Sequence, residues 1–245
     1  MGNTGVYVGN WQESDPRVGH ESAVIWPILL PAGAEEPKQC LQQIGSLHRY
    51  AMQGRKNSDY HAHAESEQYY YILGGHGTIL IDDERHAVSE GSVAYFAPGS
   101  RHQLINEDSE EWLEQLIISC PVERTESRSC VVNWRDVAPT AGVHGAAITW
   151  PLLQSVDDEE DAQYPRLLGM SYIARQALVR GKAADAHVHD DKEQVYYITE
   201  GFGTMITDDE VHQVAAGDAI YIPKDVTHQI LNEEYDGWLS YLVIS

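Results

Sequence analysis

His61-Ala62-His63-Ala64-Glu65-Ser66-Glu67-Gln68-Tyr69-Tyr70-Tyr71-Ile72-Leu73 is the stretch on which the reading of this chain turns. Side chains alternate along an extended strand, so two histidines one residue apart leave from the same side. Neutral imidazoles aimed into one space are a common beginning of a transition-metal site. The aromatic and β-branched run that follows is strand-like. The same words return as His187-Val188-His189, Glu193-Gln194 and Val195-Tyr196-Tyr197-Ile198-Thr199. That recurrence, more than either copy alone, makes a metal site the expectation.

The repeat extends well beyond the motif. Leu47–Ser119 superposes on Ile173–Ser245, and from the first histidine onward roughly 26 of 59 positions are identical without a gap. Upstream, Asn10-Trp11 answers Asn133-Trp134, Pro16 answers Pro139, His20 answers His144, and Trp26-Pro27 answers Trp150-Pro151. Two homologous domains are expected, 1–121 and 122–245, meeting near Pro121–Cys130. Within each copy, short runs such as Thr78–Ile81, Val93–Phe96 and Leu113–Ile118 are separated by Gly, Pro, Asp and Asn clusters. Asp82-Asp83-Glu84 and Asp208-Asp209-Glu210 read as hairpin turns. Only the acidic insertion Asp157–Ala162 suggests a helical turn or a solvated loop. The pattern predicts an all-β protein of two small antiparallel barrels or jelly rolls.

Composition narrows the function classes. Sixteen basic against 38 acidic residues give a formal charge of −22, which argues against nucleic acid and anionic membranes as partners. Cys40, Cys120 and Cys130 are odd in number and lack finger-like spacing, so reduced structural thiols are expected. The N-terminus shows neither a basic region nor an apolar core, and no apolar run reaches membrane-spanning length. A cytoplasmic protein acting on a small molecule, as a monomer or homodimer, is the expectation.

A third histidine extends the pattern. Gly91, Pro98, His102 and Asn106 resemble the second cupin motif, with the expected proline position occupied by Ala97; Gly217, Pro223, His228 and Asn232 fit it better. Gly54 or Gly181 before His-x-His, and Gly75 or Gly201 after it, complete the first motif. The chain therefore resembles a bicupin over nearly its whole length, with two tandem double-stranded β-helix (jelly-roll) domains. The resemblance implies one divalent transition metal per domain, held by His61, His63 and His102 and by His187, His189 and His228. Its fourth ligand is usually glutamate. Here Glu67 and Gln68 both stand at spacings the family uses, as do Glu193 and Gln194. Neighbours on a strand face opposite ways, so one of each pair reaches the metal. Counting back from the glycine that ends the strand favours Gln68 and Gln194, with Glu67 and Glu193 as the alternative. Fe or Mn is favoured, with Ni, Cu, Co and Zn compatible with such donors.

Around the first centre, parity places Tyr70 inward, as Tyr196 in the second; such a tyrosine would either orient substrate or move a proton, or serve as a core aromatic with a satisfied hydroxyl. Arg49, matched by Arg175, is a candidate carboxylate clamp if it faces inward and a surface charge if it faces outward. His20 and His144 are candidates for a general base, an interface residue or a core histidine. The copies differ at His76/Phe202, Arg101/Thr227, Glu114/Ser240 and Gln115/Tyr241. If only one barrel is active, His76, Arg101 and Glu114 point to the first. The likeness to quercetin-dioxygenase-type bicupins implies an oxygenase cleaving a carbon–carbon bond of an enolisable or hydroxylated substrate. Likeness to bacilysin-isomerase-type bicupins implies a non-redox isomerase or lyase, and a non-catalytic small-molecule binder is the third reading. Oxalate decarboxylase chemistry fits less well, because that family's glutamate ligand falls on glutamine in the favoured register.

Overall fold

The structure, a computed structural model, describes residues 5–33, 36–107, 109–142, 144–157, 164–208 and 210–245. Their regular structure is strand, broken by single 3-10 turns at Trp11–Glu13 and Trp134–Asp136. In the acidic insertion Asp157 lies in a turn, and residues 158–162 fall outside the described ones. No described helix is long and apolar enough to cross a membrane.

The chain forms two tandem jelly-roll barrels, each a broad sheet against a four-stranded one. In the first barrel the broad sheet runs Cys130–Asn133, Ser92–Phe96, Ser66–Gly74, Leu113–Pro121, Ser46–Met52, Ala23–Pro31 and Arg17–Gly19. Facing it are Lys56–Asn57, His102–Asn106, His76–Ile81 and Glu84–Ser89. The second barrel repeats this order. Ile81 pairs with Glu84, so Asp82-Asp83 forms the expected hairpin turn.

Each broad sheet borrows its edge strand from the other half of the sequence. Tyr7–Asn10 pairs with Asp218–Ile222 of the second barrel, and Cys130–Asn133 pairs with Ser92–Phe96 of the first. The repeated Asn-Trp explains how these arms end. The Asn10 side chain accepts from Gln12 N at 3.0 Å, and that of Asn133 accepts from Arg135 N at 3.1 Å, so each asparagine caps a single helical turn. The turn lays Trp11 over Gly217 and Trp134 over Gly91. Both glycines have positive φ, +98° and +82°, and a Cβ there would lie 2.9 and 2.3 Å from the indole. Only glycine satisfies backbone and packing at once.

Strand parity sorts the apolar residues into three clusters. Tyr69 and Tyr71 pack with Val195, Tyr197 and Tyr221 in a core shared by the two halves. Tyr70 and Ile72 turn the opposite way into the first barrel, as Tyr196 and Ile198 do in the second. Cys40 and Cys120 sit in the shared core and Cys130 at its edge, all as free thiols. Burial, with Glu193 beside Cys40 and Glu67 beside Cys120, pushes both buried thiols up to about 12, so they are protonated and unreactive.

Candidate metal centres

The fold brings each histidine triad together. His61 and His102 exchange backbone hydrogen bonds (3.2 and 2.7 Å) in an isolated bridge at the end of the smaller sheet, and His187 and His228 do the same (3.1 and 2.9 Å). In the first triad the ring centroids are 4.9, 4.5 and 5.5 Å apart, and in the second 5.0, 4.3 and 5.7 Å. Within each triad the candidate ligand atoms all lie within 4.8 Å of one another.

Backbone carbonyls fix which nitrogen faces inward. Nδ1 of His61 lies 3.1 Å from Asp59 O, that of His102 3.2 Å from Ser100 O, and that of His228 3.1 Å from Val226 O. His187 Nδ1 lies 2.9 Å from Asp185 O. A carbonyl only accepts, so each Nδ1 carries the proton and each Nε2 keeps its lone pair. The Nε2 atoms of His61, His102, His189 and His228 are buried and have no hydrogen-bond partner in the protein. Burial depresses His102 to about 3 and His228 to about 4, and it lowers His63 and His189 as well. These four imidazoles are thus neutral in the folded protein at neutral pH.

The sign of these shifts gives a testable result for the metal-free protein. Between pH 6.5 and 4 the unfolded chain protonates histidines that the folded chain holds neutral, so stability falls as pH falls. We expect the Tm of metal-free protein to drop by on the order of 10 °C from pH 7 to pH 4. The same thermal series on His102→Gln/His228→Gln should show a flatter slope, and an unchanged slope would assign the effect elsewhere.

The two residues at the fourth position part company. Glu67, fully buried, accepts from the backbone N–H groups of Leu168 (2.7 Å), Gly169 (2.9 Å) and Met170 (3.0 Å) and from the Tyr95 hydroxyl (2.9 Å). Glu193 does the same for Gln42 (2.8 Å), Gln43 (2.7 Å) and Ile44 (2.7 Å). Each glutamate therefore clasps a loop of the opposite half, on the face away from its own barrel interior. Gln68 and Gln194 face inward, and the Oε1 of each is buried without a partner.

The remaining candidates divide. Tyr70 is inside the first barrel, its ring 5.8 Å from that of His102, and burial raises its pKa so that the phenol stays protonated. Tyr196 stands 5.7 Å from His228 in the second. Arg49 and Glu114, in contrast, lie outside the first barrel's interior, on the wall of a separate cavity of about 330 Å³ that Trp11 and Arg175 also line. Tyr50 and Gln115 take the inward positions, so their neighbours point outward, where Arg49 pairs with Glu114 and lies 4.3 Å over Trp11. Arg175 likewise sits over Trp134 and bonds Ser240 Oγ. His76 is exposed at the far end of His76–Ile81, whereas Ile81 is the residue opposite His102, about 16 Å along the strand. Arg101 is turned out over Tyr60. The polar set that favoured the first barrel is therefore dispersed.

Two features escaped the sequence reading. Asp59 bonds His20 Nδ1 at 2.7 Å, and its other oxygen lies 3.2 Å from His61 Nδ1; His20 also stacks on His61 at 4.9 Å. The matching Asp59 and Asp185, two residues before each His-x-His, were the available signal. The second is an opening in the other barrel. A cavity of about 190 Å³ is lined by His187, His189, Gln194, Tyr196, Gln176 and Lys192, among others.

With fold and site in hand, comparison places the chain. The cupin domain family matches residues 48–116 and 174–245, more than half of the sequence, and the chain belongs to that family. It is 48% identical over 65 residues to an uncharacterized protein of Methanocaldococcus jannaschii, MJ1618, a match covering 26% of this chain and 52% of that protein. The chain thus spans about half the length of the curated relative it matches. Among solved structures it resembles the putative glyoxylate induced protein from Pseudomonas aeruginosa (TM-score 0.80, 16% identity, 100% of this chain and 89% of that one). It also resembles the bacterial pirin YhhW from Escherichia coli in complex with nickel(II) (TM-score 0.71, 16% identity, 98% and 97%).

Proposed function

We propose that this chain is a metal-dependent enzyme with one divalent transition metal per barrel, acting on a small oxygen-rich or enolisable substrate, and that it is a dioxygenase. His61, His63, His102 and Gln68 would hold the first ion; His187, His189, His228 and Gln194 would hold the second. The carrying observation is the set of buried, partnerless acceptors, four imidazole Nε2 atoms and two amide Oε1 atoms. An unsatisfied buried polar atom costs about 1–3 kcal/mol, and clustering them is unfavourable unless something binds there. They fit a divalent ion of the Fe, Mn or Ni kind, and the nickel complex of YhhW supports a metal-holding cupin.

When bound, such an ion supplies Lewis acidity toward substrate oxygens and a site for oxygen chemistry. The four donors of each centre are uncharged, so they leave the ion's positive charge to an anionic substrate. Tyr70 and Tyr196, kept protonated by burial, donate hydrogen bonds toward the site rather than accept protons. Ile72 and Phe96, with their counterparts Ile198 and Ile222, wall the interiors against water.

One observation favours the non-redox isomerase or lyase. Asp59 orients His20 beside the first triad, an arrangement suited to moving a proton at a substrate carbon. The test is oxygen consumption by protein reconstituted with Fe(II), Mn(II) or Ni(II) against diketones, flavonols and keto acids. Oxygen uptake coupled to product is the expected result. Turnover under anaerobic conditions would replace it with the isomerase or lyase, and ligand binding without turnover in the metal-loaded protein would leave a non-catalytic binder.

A further inference from the structure

The two barrels share a triad but not a cavity wall. In the second barrel, the wall contains Lys192, Ser171, Tyr172 and Gln176 beside His187 and His189. The corresponding first-barrel residues are Ser66, Gly45, Ser46 and Tyr50. There Tyr50 is buried among the interior side chains, and no cation occupies the position of Lys192. Across the paired strands the phenol and amide have changed places, Tyr50 opposite Gln115 in the first barrel and Gln176 opposite Tyr241 in the second, while the small hydroxyl of Ser66 has given way to the ammonium of Lys192.

Lys192 has an unusual set of neighbours for a lysine in an acidic chain. Acidic residues outnumber basic ones 38 to 16, yet no described carboxylate lies within 4.0 Å of its ammonium. Its hydrogen-bond partner is the Ser171 hydroxyl, at 3.4 Å. Asp190 and Asp191, its chain neighbours, are exposed to solvent. An ammonium on a partly buried lysine, bonded to a neutral hydroxyl and with no described carboxylate in salt-bridge reach, retains its capacity to bind an anion.

We propose that the second barrel is the substrate-binding one and that it takes a small carboxylate bearing a second oxygen donor, such as a 2-oxo or hydroxy acid. Lys192 binds the carboxylate, while the second oxygen is directed to the His187–His189–His228 centre. Gln176 and Tyr172 complete the polar lining. This inference rests on the metal-centre reading above, and it reverses the sequence-based preference for the first barrel.

Calorimetric titration of the full-length Co(II)-loaded protein separates the two. The probes are pyruvate, which carries a carboxylate, and acetylacetone, an enolisable ligand without one. Lys192→Ser, which installs the first-barrel residue, should weaken pyruvate binding about 10–100-fold, the value of one charge-assisted contact. Acetylacetone affinity and cobalt content should stay within about 2-fold of the unmodified protein, and Lys192→Arg should restore most pyruvate affinity. Retained acetylacetone binding with pyruvate affinity indifferent to Lys192→Ser, or no pyruvate binding to the unmodified protein, overturns the carboxylate assignment alone. Cobalt content unchanged in His187→Ala/His189→Ala would overturn the metal-centre reading itself.

Discussion

Alanine at Glu67 and Glu193 should destabilise the protein strongly while leaving its metal content intact. Each carboxylate satisfies three consecutive backbone N–H groups of the opposite half, and Glu67 also receives the Tyr95 hydroxyl. Truncation leaves these donors without their acceptor, the Leu168, Met170 and Ile44 N–H groups in buried surroundings. Charge-assisted bonds contribute about 1.5–3 kcal/mol each, but bonds sharing one acceptor are not additive, so we expect about 3–5 kcal/mol per glutamate. In a chain of this size that corresponds to a Tm loss of roughly 8–15 °C for either single variant. Glu→Gln should cost less, because an amide oxygen still accepts. Thermal denaturation with parallel elemental analysis reads both quantities. Loss of metal without loss of stability would mean that the glutamates, not the glutamines, reach the ions.

The complementary result concerns the triads. Purified protein should carry two metal equivalents per chain; His102→Ala or His228→Ala should each leave about one, and the double variant almost none. Gln68→Ala combined with Gln194→Ala should lower metal content far more than the paired glutamate variants do. Asp59→Ala should weaken only the first centre, by about 10–100-fold, since a carboxylate behind a ligating imidazole fixes its orientation and raises its basicity. In both barrels this Nδ1 bonds a backbone carbonyl, and what Asp59 adds is a carboxylate oxygen 3.2 Å from His61 Nδ1 with no described counterpart at His187, so removing the Asp185 side chain should matter less. Two equivalents persisting in His102→Ala would show that its triad does not form a metal centre.

Much of this was legible before any coordinates. The repeat and its paired glycines announced two like barrels. Period-two alternation along Gln68–Ile72 divided interior from shared core on that strand. Parity, however, says which residues share a face and not which face is inside. The His-x-His pair, which lies just before Ser66–Gly74 with His61 in an isolated bridge, marks the inner side for that strand, but nothing comparable marks Ser46–Met52 or Leu113–Pro121. Arg49, which the sequence left open between inward clamp and surface charge, and Glu114, which it set near the first metal, consequently both point outward. His76 was singled out because the copies differ there, and a difference between copies says nothing about which end of His76–Ile81 meets the triad; it is Ile81 that lies opposite His102. The arms were visible as a repeated Asn-Trp, but their destination depends on a sheet edge contributed by residues 35 to 41 positions away for one arm and 208 to 214 for the other, which no local pattern encodes.

The borrowed edge strands carry an implication for assembly. Each barrel is closed by the arm and the indole lid of its twin, as two protomers of a domain-swapped dimer would close one another. Here the segment 122–129 joins those would-be protomers, so their encounter is intramolecular and does not depend on protein concentration. A polypeptide carrying one half alone would expose a row of unpaired backbone groups and an uncovered aromatic core. Completeness, in this molecule, belongs to the pair.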